Sequence, residues 1–264
     1  MPATYNQNGQ VMSRFTLESY FRRTGFQGVA RPTLSCVAEM MRCQLLSVPF
    51  ENLDIQAGTI ISLDPDDIAQ KILERQRGGY CFEVNGLFAM ALDALHIRYF
   101  FIAARPLTQH NVKKPKTHMA VVVQFDDGQW LCDCGFGGYG LRAPIRLGVP
   151  DTEVCQDGEL FMLSQLNDNE TVLKTKIRDV WQAQYAFDLA PQAWGDFELA
   201  NYYSSTHHDS LFVRKLLVVL CTPTGRKILF GNALKIVENG QQVKHQITPE
   251  HRAETLRREF GLVL

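Results

Sequence analysis

Three residues in this chain have the types and the order that nucleophilic catalysis needs: Cys81, His118 and Asp133. A thiol attacks only after losing its proton, an imidazole can take that proton, and a carboxylate fixes which ring nitrogen faces the sulfur. Cys81 follows Gly78-Gly79-Tyr80 and opens a stretch in which Val84, Leu87, Phe88, Ala91, Leu92 and Leu95 recur at the spacing of an amphipathic helix. The thiol therefore falls in the first helical turn. Unpaired backbone N–H groups and the positive end of the helix dipole stabilise a thiolate there. Gly78 and Gly79 allow a sharp turn and the close approach of a ligand. An inert buried thiol fits the same position, since free cysteines are among the most buried residues.

His118 begins one β segment, running to Phe125, and Asp133 ends a second that starts at Gln129; between them lies Asp126-Asp127-Gly128, a hairpin signal. A two-residue turn at Asp127-Gly128 sets His118 opposite residue 137, four positions from Asp133. At about 3.3 Å per residue this is too far for a hydrogen bond, so a shifted turn, a bulge or strong twist must close the gap. An ordinary strand histidine is the competing reading.

Other patterns carry less. Gly135-Phe136-Gly137-Gly138-Tyr139-Gly140 matches the dinucleotide fingerprint, but Pro144, Gly148 and Pro150 deny it the helix that the motif requires. It reads better as bare backbone beside the reacting centre, with Phe136 as an aromatic wall. His207-His208-Asp209 resembles a fragment of a metal site, but no second ligand pair has matching spacing, and we expect no metal. Cys132 and Cys134 point away from Asp133 in a strand and belong to the core. Lys113, Lys114 and Lys116 form a basic run that reads as a solvated loop or, less simply, a phosphate contact.

The elements that must position these residues divide into three stretches. Residues 1–95 read as helices, with stripes from Phe15 to Phe21 and from Leu34 to Leu46, a turn at Pro49 to Asp54, and a further helix entered at Pro65. Residues 96–190 read as short strands, dense enough for a small barrel or sandwich, and residues 191–264 as mixed α/β ending in a helix from Pro249. The 264 residues, 45% hydrophobic and 21% charged with a net charge of −1, describe an ordinary globular chain without a nucleic-acid footprint. Met1 to Ser13 lacks the apolar core of a secretion signal, and Phe88 to Ala104 is too short and too charged to span a bilayer. Seven cysteines without a CxxC pair point to free thiols in a reducing cytoplasm.

In order along the chain, Pro49-Phe50-Glu51-Asn52-Leu53-Asp54, Arg77-Gly78-Gly79-Tyr80-Cys81-Phe82-Glu83-Val84-Asn85, Thr117-His118, Asp133-Gly135-Phe136-Gly137-Gly138 and Tyr203-Ser204-Ser205-Thr206-His207 resemble the arylamine N-acetyltransferases. The resemblance implies an α+β fold with a cysteine-protease-like core: a helical N-terminal domain, a central β-barrel and a C-terminal α/β lid. It also implies Cys81 as acyl-accepting nucleophile, His118 as base, Asp133 as its partner, and acetyl-CoA as donor. Gly137, Gly138 and Thr222 are then expected to contact CoA, and Phe50 and Phe136 to line the pocket of an arylamine or arylhydrazine acceptor. Cysteine at 132 and 134 and histidine at 208 depart from the usual family pattern. A cysteine hydrolase of papain or transglutaminase type, an amide synthase acting on a carrier-bound polyketide, and a catalytically silent binding protein are the alternatives.

Overall fold

The computed structural model describes residues 4, 5, 11, 12, 14–107 and 114–263. Helices Leu17–Thr24 and Leu34–Ser47 begin where threonine can cap them: Thr16 accepts from the Ser19 N–H and Thr33 from the Cys36 N–H. The first ends at Gly25, whose φ of 75° is the left-handed C-terminal signal, and the second ends just before Pro49. Helix Pro65–Ala69, capped by Asp64, continues as a π-helical stretch over Gln70–Glu74. Helix Cys81–Ala94 lies at the centre. Every residue from Cys81 to Leu92 is buried, so the apolar stripe expected of it understates its environment: it is enclosed on all sides. Helices and the strand His118–Phe125 pack around it.

Eight antiparallel strands form a nearly closed barrel. Their order is Ile145–Arg146, Gly128–Cys132, His118–Phe125, Tyr99–Pro106, Val180–Phe187, Thr171–Ile177, Glu159–Gln165 and Val154–Gln156. A second sheet runs Gln241–Gln246, Ala233–Glu238, Gly225–Phe230, Leu217–Thr222 and Phe50–Glu51. Its last strand corrects the reading of residues 49–54 as a turn. Phe50 and Glu51 pair with Val219 and Val218, so the N-terminal stretch supplies an edge of the C-terminal sheet. The expected boundary near 95 falls between Ala94 and Tyr99, and that near 190 between Phe187 and Trp194. The terminal helix is Arg252–Phe260, preceded by a 3-10 turn at Pro249–His251. No helix among the described residues is long and apolar enough to cross a membrane.

Candidate active site

The chain segment before Cys81 is clamped to Pro49–Glu51. The Glu51 N–H donates to the Gly79 carbonyl at 2.9 Å and the Gly79 N–H to the Pro49 carbonyl at 3.2 Å. A Cβ on Gly78 would lie 2.0 Å from that same Pro49 oxygen. The close approach for which Gly78 was expected is thus made by the protein's own backbone. Arg77 then pairs with Glu51 at 2.8 Å and Asp54 at 2.9 Å, while Lys71 reaches both Asp54 and Glu83 at 2.7 Å. Glu83 closes the network by accepting the Tyr80 N–H at 2.9 Å, which caps the helix at the residue before Cys81.

On the barrel side the hairpin settles the register. Phe125 pairs with Gly128, so the turn is Asp126-Asp127 and not Asp127-Gly128. The shift of one position sets His118 across from residue 135 along the ladder, and the strand ends at Cys132, leaving Asp133 free to turn back toward the ring. His118 Nε2 lies 2.8 Å from Asp133 Oδ2. Asp133 takes the Nε2 side of the ring, so Nδ1 is the nitrogen left to serve the Cys81 sulfur. The sulfur also lies 3.7 Å from the Thr117 carbonyl oxygen. Phe136 and Tyr185 pack on the imidazole at ring-centre distances of 5.2 and 4.9 Å and fix its plane.

All three groups are buried, with Cys81 2% exposed. Burial works against a charged ring, yet the Asp133 carboxylate, its hydrogen bond to the ring and the neighbouring Cys81 bring the His118 pKa up to about 10. For Asp133 burial pushes the other way from its partners. His118, the Asn85 amide and the Gly135 N–H together hold it below the usual carboxylate range.

Asn85 is the residue that pattern reading passed over. It sits one helical turn after Cys81, quoted in the motif but given no role. Its Nδ2 donates to the Met119 carbonyl at 2.7 Å and to Asp133 Oδ1 at 3.1 Å, and its Oδ1 accepts the Cys134 N–H at 2.8 Å. One side chain thus ties the helix to the first strand of the hairpin and to the segment that follows the second. The i, i+4 spacing from Cys81 was the available signal.

The glycine loop after Asp133 is held tightly. A Cβ on Gly135 would meet Asn85 Nδ2 at 2.7 Å and Cys81 Cα at 2.8 Å, and one on Gly137 would strike the Phe50 ring at 2.5 Å. Buried Arg226 donates to the Gly138 carbonyl, and buried Arg142 to the carbonyls of Thr222 and Gly225. No helix follows the loop, in keeping with the failed dinucleotide motif.

A cavity of about 170 Å³ opens beside the sulfur, walled by Phe50, Phe136, Phe212, Tyr203, Gly138 and Lys114. Gly137 also lines it, but Thr222 does not; its hydroxyl is buried without a hydrogen-bond partner among the described residues. Lys116 pairs with Asp188, and Lys113 lies outside the described residues. Cys132 and Cys134 are buried, and burial pushes both thiols up, as core cysteines require. His207, His208 and Asp209 bring donor atoms within 4.8 Å of one another at the surface, where His207 stacks on Tyr203.

The N-acetyltransferase family model matches residues 33–264. The arylamine N-acetyltransferase / N-hydroxyarylamine O-acetyltransferase of Salmonella typhimurium is 31% identical over 250 residues, covering 93% of this chain and 88% of that protein. The arylamine N-acetyltransferase structure from M. tuberculosis superposes with a TM-score of 0.89 at 33% identity, covering 93% of each chain. That of Mycobacterium marinum in complex with CoA gives 0.89 at 30% identity, covering 93% of this chain and 92% of the other. With a helical region, a barrel and an α/β region arranged as in these structures, and a family match over nearly the whole length, the chain belongs to the arylamine N-acetyltransferases, a family of acyltransferases.

Proposed function

We propose that this protein transfers the acetyl group of acetyl-CoA to the nitrogen of an arylamine or arylhydrazine, in two steps through an acetyl-Cys81 intermediate, in the cytoplasm. The observation that carries this reading is the His118 ring, hydrogen-bonded to Asp133 and lining the same cavity as Cys81. Family membership removes the hydrolase and the silent binding protein as readings of the chain.

In the first step the Cys81 thiolate attacks the thioester carbonyl and a carbon–sulfur bond forms. First-turn N–H groups of helix Cys81–Ala94 face the developing oxyanion, where one such donor is worth about 2.7–4 kcal/mol. The bond to the CoA sulfur then breaks, and CoA leaves as a thiol with the proton that His118 held. In the second step the amine nitrogen attacks the acetyl-cysteine, His118 takes its proton, and the amide departs while Cys81 is restored as the leaving group. A weakly basic arylamine suits this route because it is uncharged at neutral pH and its lone pair is available.

Gly137 and Gly138 offer backbone beside the cavity for the pantetheine, and Phe50 and Phe136 offer apolar walls for the acceptor ring. Thr222, from its place beyond the cavity walls, serves as a CoA contact only farther along the donor. Residues 1–95, 96–190 and 191–264 act as nucleophile-bearing, base-bearing and lid units, the first and third joined by the shared strand at Phe50–Glu51.

The experiment is intact-mass measurement after mixing with acetyl-CoA and no acceptor. Wild-type protein gains one acetyl group, about 42 Da, and Cys81→Ser gains none while keeping its thermal transition. An undiminished adduct on the variant would exclude Cys81 as the acceptor of the acyl group.

A further inference from the structure

On the face of helix Cys81–Ala94 away from the candidate active site lies a second cavity, of about 210 Å³, which shares no residue with the first. Gly86, Ala89, Met90 and Asp93 of the helix form its floor. Their spacing of three, four and seven puts them on one helical face. Tyr99, Phe101 and Trp194 form a continuous aromatic wall, with ring centres 5.3 Å apart for Tyr99–Phe101 and 5.4 Å for Phe101–Trp194.

The wall is fixed in place. Trp194 Nε1 donates to the Leu63 carbonyl at 2.9 Å, and the indole packs so closely on Gly86 that a Cβ there would be 2.6 Å from it. A carboxylate stands at one end: Asp93 accepts the Tyr99 hydroxyl at 2.9 Å. It lies in the last turn of the helix, so the negative end of the dipole adds to its charge. Burial raises its pKa to about 6, which still leaves it ionised at neutral pH.

A half-buried negative charge beside three aromatic rings is complementary to one chemical class, the organic ammonium. The carboxylate pairs with the charge, the ring faces attract the same charge through their quadrupoles, and the apolar floor takes up the hydrocarbon. The volume is below the roughly 300–1,000 Å³ of drug-sized sites, so the ligand is a small one.

We propose that this cavity is a binding site for a small protonated primary amine, its ammonium on Asp93 and its hydrocarbon body against Trp194 and Phe101. The site selects the opposite protonation state from the reaction at Cys81, which needs an uncharged nitrogen. Basic alkylamines and benzylamines are held here as cations, and weakly basic arylamines are not.

Trp194 supplies the reporter. Of the chain's three tryptophans, Trp130 and Trp181 are replaced by phenylalanine, and Cys81 is blocked with iodoacetamide so that the first cavity is occupied. Benzylamine, protonated at pH 7.5, is expected to change Trp194 emission saturably and to bind at least about tenfold more tightly than benzyl alcohol, its uncharged isostere. Asp93→Asn keeps the shape and the Tyr99 hydrogen bond, and is expected to remove that preference while leaving benzyl alcohol unchanged. Ala193→Leu, at the exposed rim, is expected to weaken both probes by filling the space. Equal affinity for the two probes, no saturable change with benzylamine, or undiminished benzylamine binding by either folded variant would overturn the proposal.

Discussion

Two buried carboxylates flank Cys81, and they depart from the ordinary carboxyl pKa in opposite directions. Asp133 is fully buried, and burial alone would push it up; it falls instead, because His118, Asn85 and the Gly135 N–H all favour its charged form. Glu83 is equally deep and rises to about 7: burial outweighs Lys71 and the Tyr80 N–H, and neighbouring Glu51 adds to the rise. The cation makes the difference. Lys71 is shared, standing 2.7 Å from Asp54 as well as from Glu83, whereas the His118 ring lies against Asp133 alone among the carboxylates paired with it. Depth does not set the charge of a buried acid; the donors committed to it do. Asp133 is built to stay negative behind an imidazole, and Glu83 to brace a helix start.

The strongest way to break this contrast is to remove the charge of Asp133 without changing its shape. Asp133→Asn leaves the Nε2 side of His118 facing an amide, so neither the tautomer nor the imidazolium is secured. Triad orienters treated in this way lose about 10⁴-fold in kcat. We expect a comparable fall in acetyl-Cys81 formation, measured by rapid-quench mass spectrometry, with the fold kept. A loss below tenfold would mean that the carboxylate has no part in presenting the base.

Asn85 tests whether the committed donors matter as a set. Asn85→Ala removes three hydrogen bonds and leaves the Met119 carbonyl, the Cys134 N–H and one Asp133 oxygen short of that partner. The expected cost is about 2–4 kcal/mol in urea denaturation at pH 7. Because the same side chain registers helix against hairpin, acyl transfer should fall by about 10–100-fold as well. The variant's acid unfolding should begin at higher pH, since Asp133 loses a donor that lowers its pKa. Unchanged acid unfolding would assign the low Asp133 pKa to His118 alone.

What the sequence made legible was local. The helix after Cys81 shows in its apolar spacing, and His118 and Asp133 bracket a hairpin that turn residues announce. The register was misread because Asp126-Asp127-Gly128 offers two adjacent two-residue turns, and only the ladder shows that Gly128, at φ 142°, already belongs to the strand. The strand at Phe50–Glu51 was out of reach for a different reason. It is two residues long and its partners lie more than 160 residues away, so no periodicity marks it. Arg226 and Arg142 carry no pattern that marks them; only the fold buries them against loop carbonyls. The hairpin Ala233–Glu238 to Gln241–Gln246 had a signal that went unused: Asn239-Gly240, both at positive φ, is the turn that a two-residue hairpin prefers.

The smallest expected effect is also the one that separates the two acids by sign. A carboxyl whose folded pKa is raised contributes stability that is fully present below its unfolded value, near 4.3, and lost as pH climbs through the folded value of about 7. For Glu83 the loss is at most about 4 kcal/mol, less as Lys71 adjusts. Asp133, with a depressed pKa, contributes stability that is present above its unfolded value, near 3.9, and lost as pH falls. Glu83→Gln keeps an oxygen for the Tyr80 N–H and cannot ionise, so its stability should gain on the wild type between pH 4.5 and 7, in guanidinium melts at half-unit steps. Asp133→Asn should show its deficit growing as pH rises from 3 to 5. Parallel curves for the two variants would mean that burial alone governs both acids, and that the partners named here do not distinguish them.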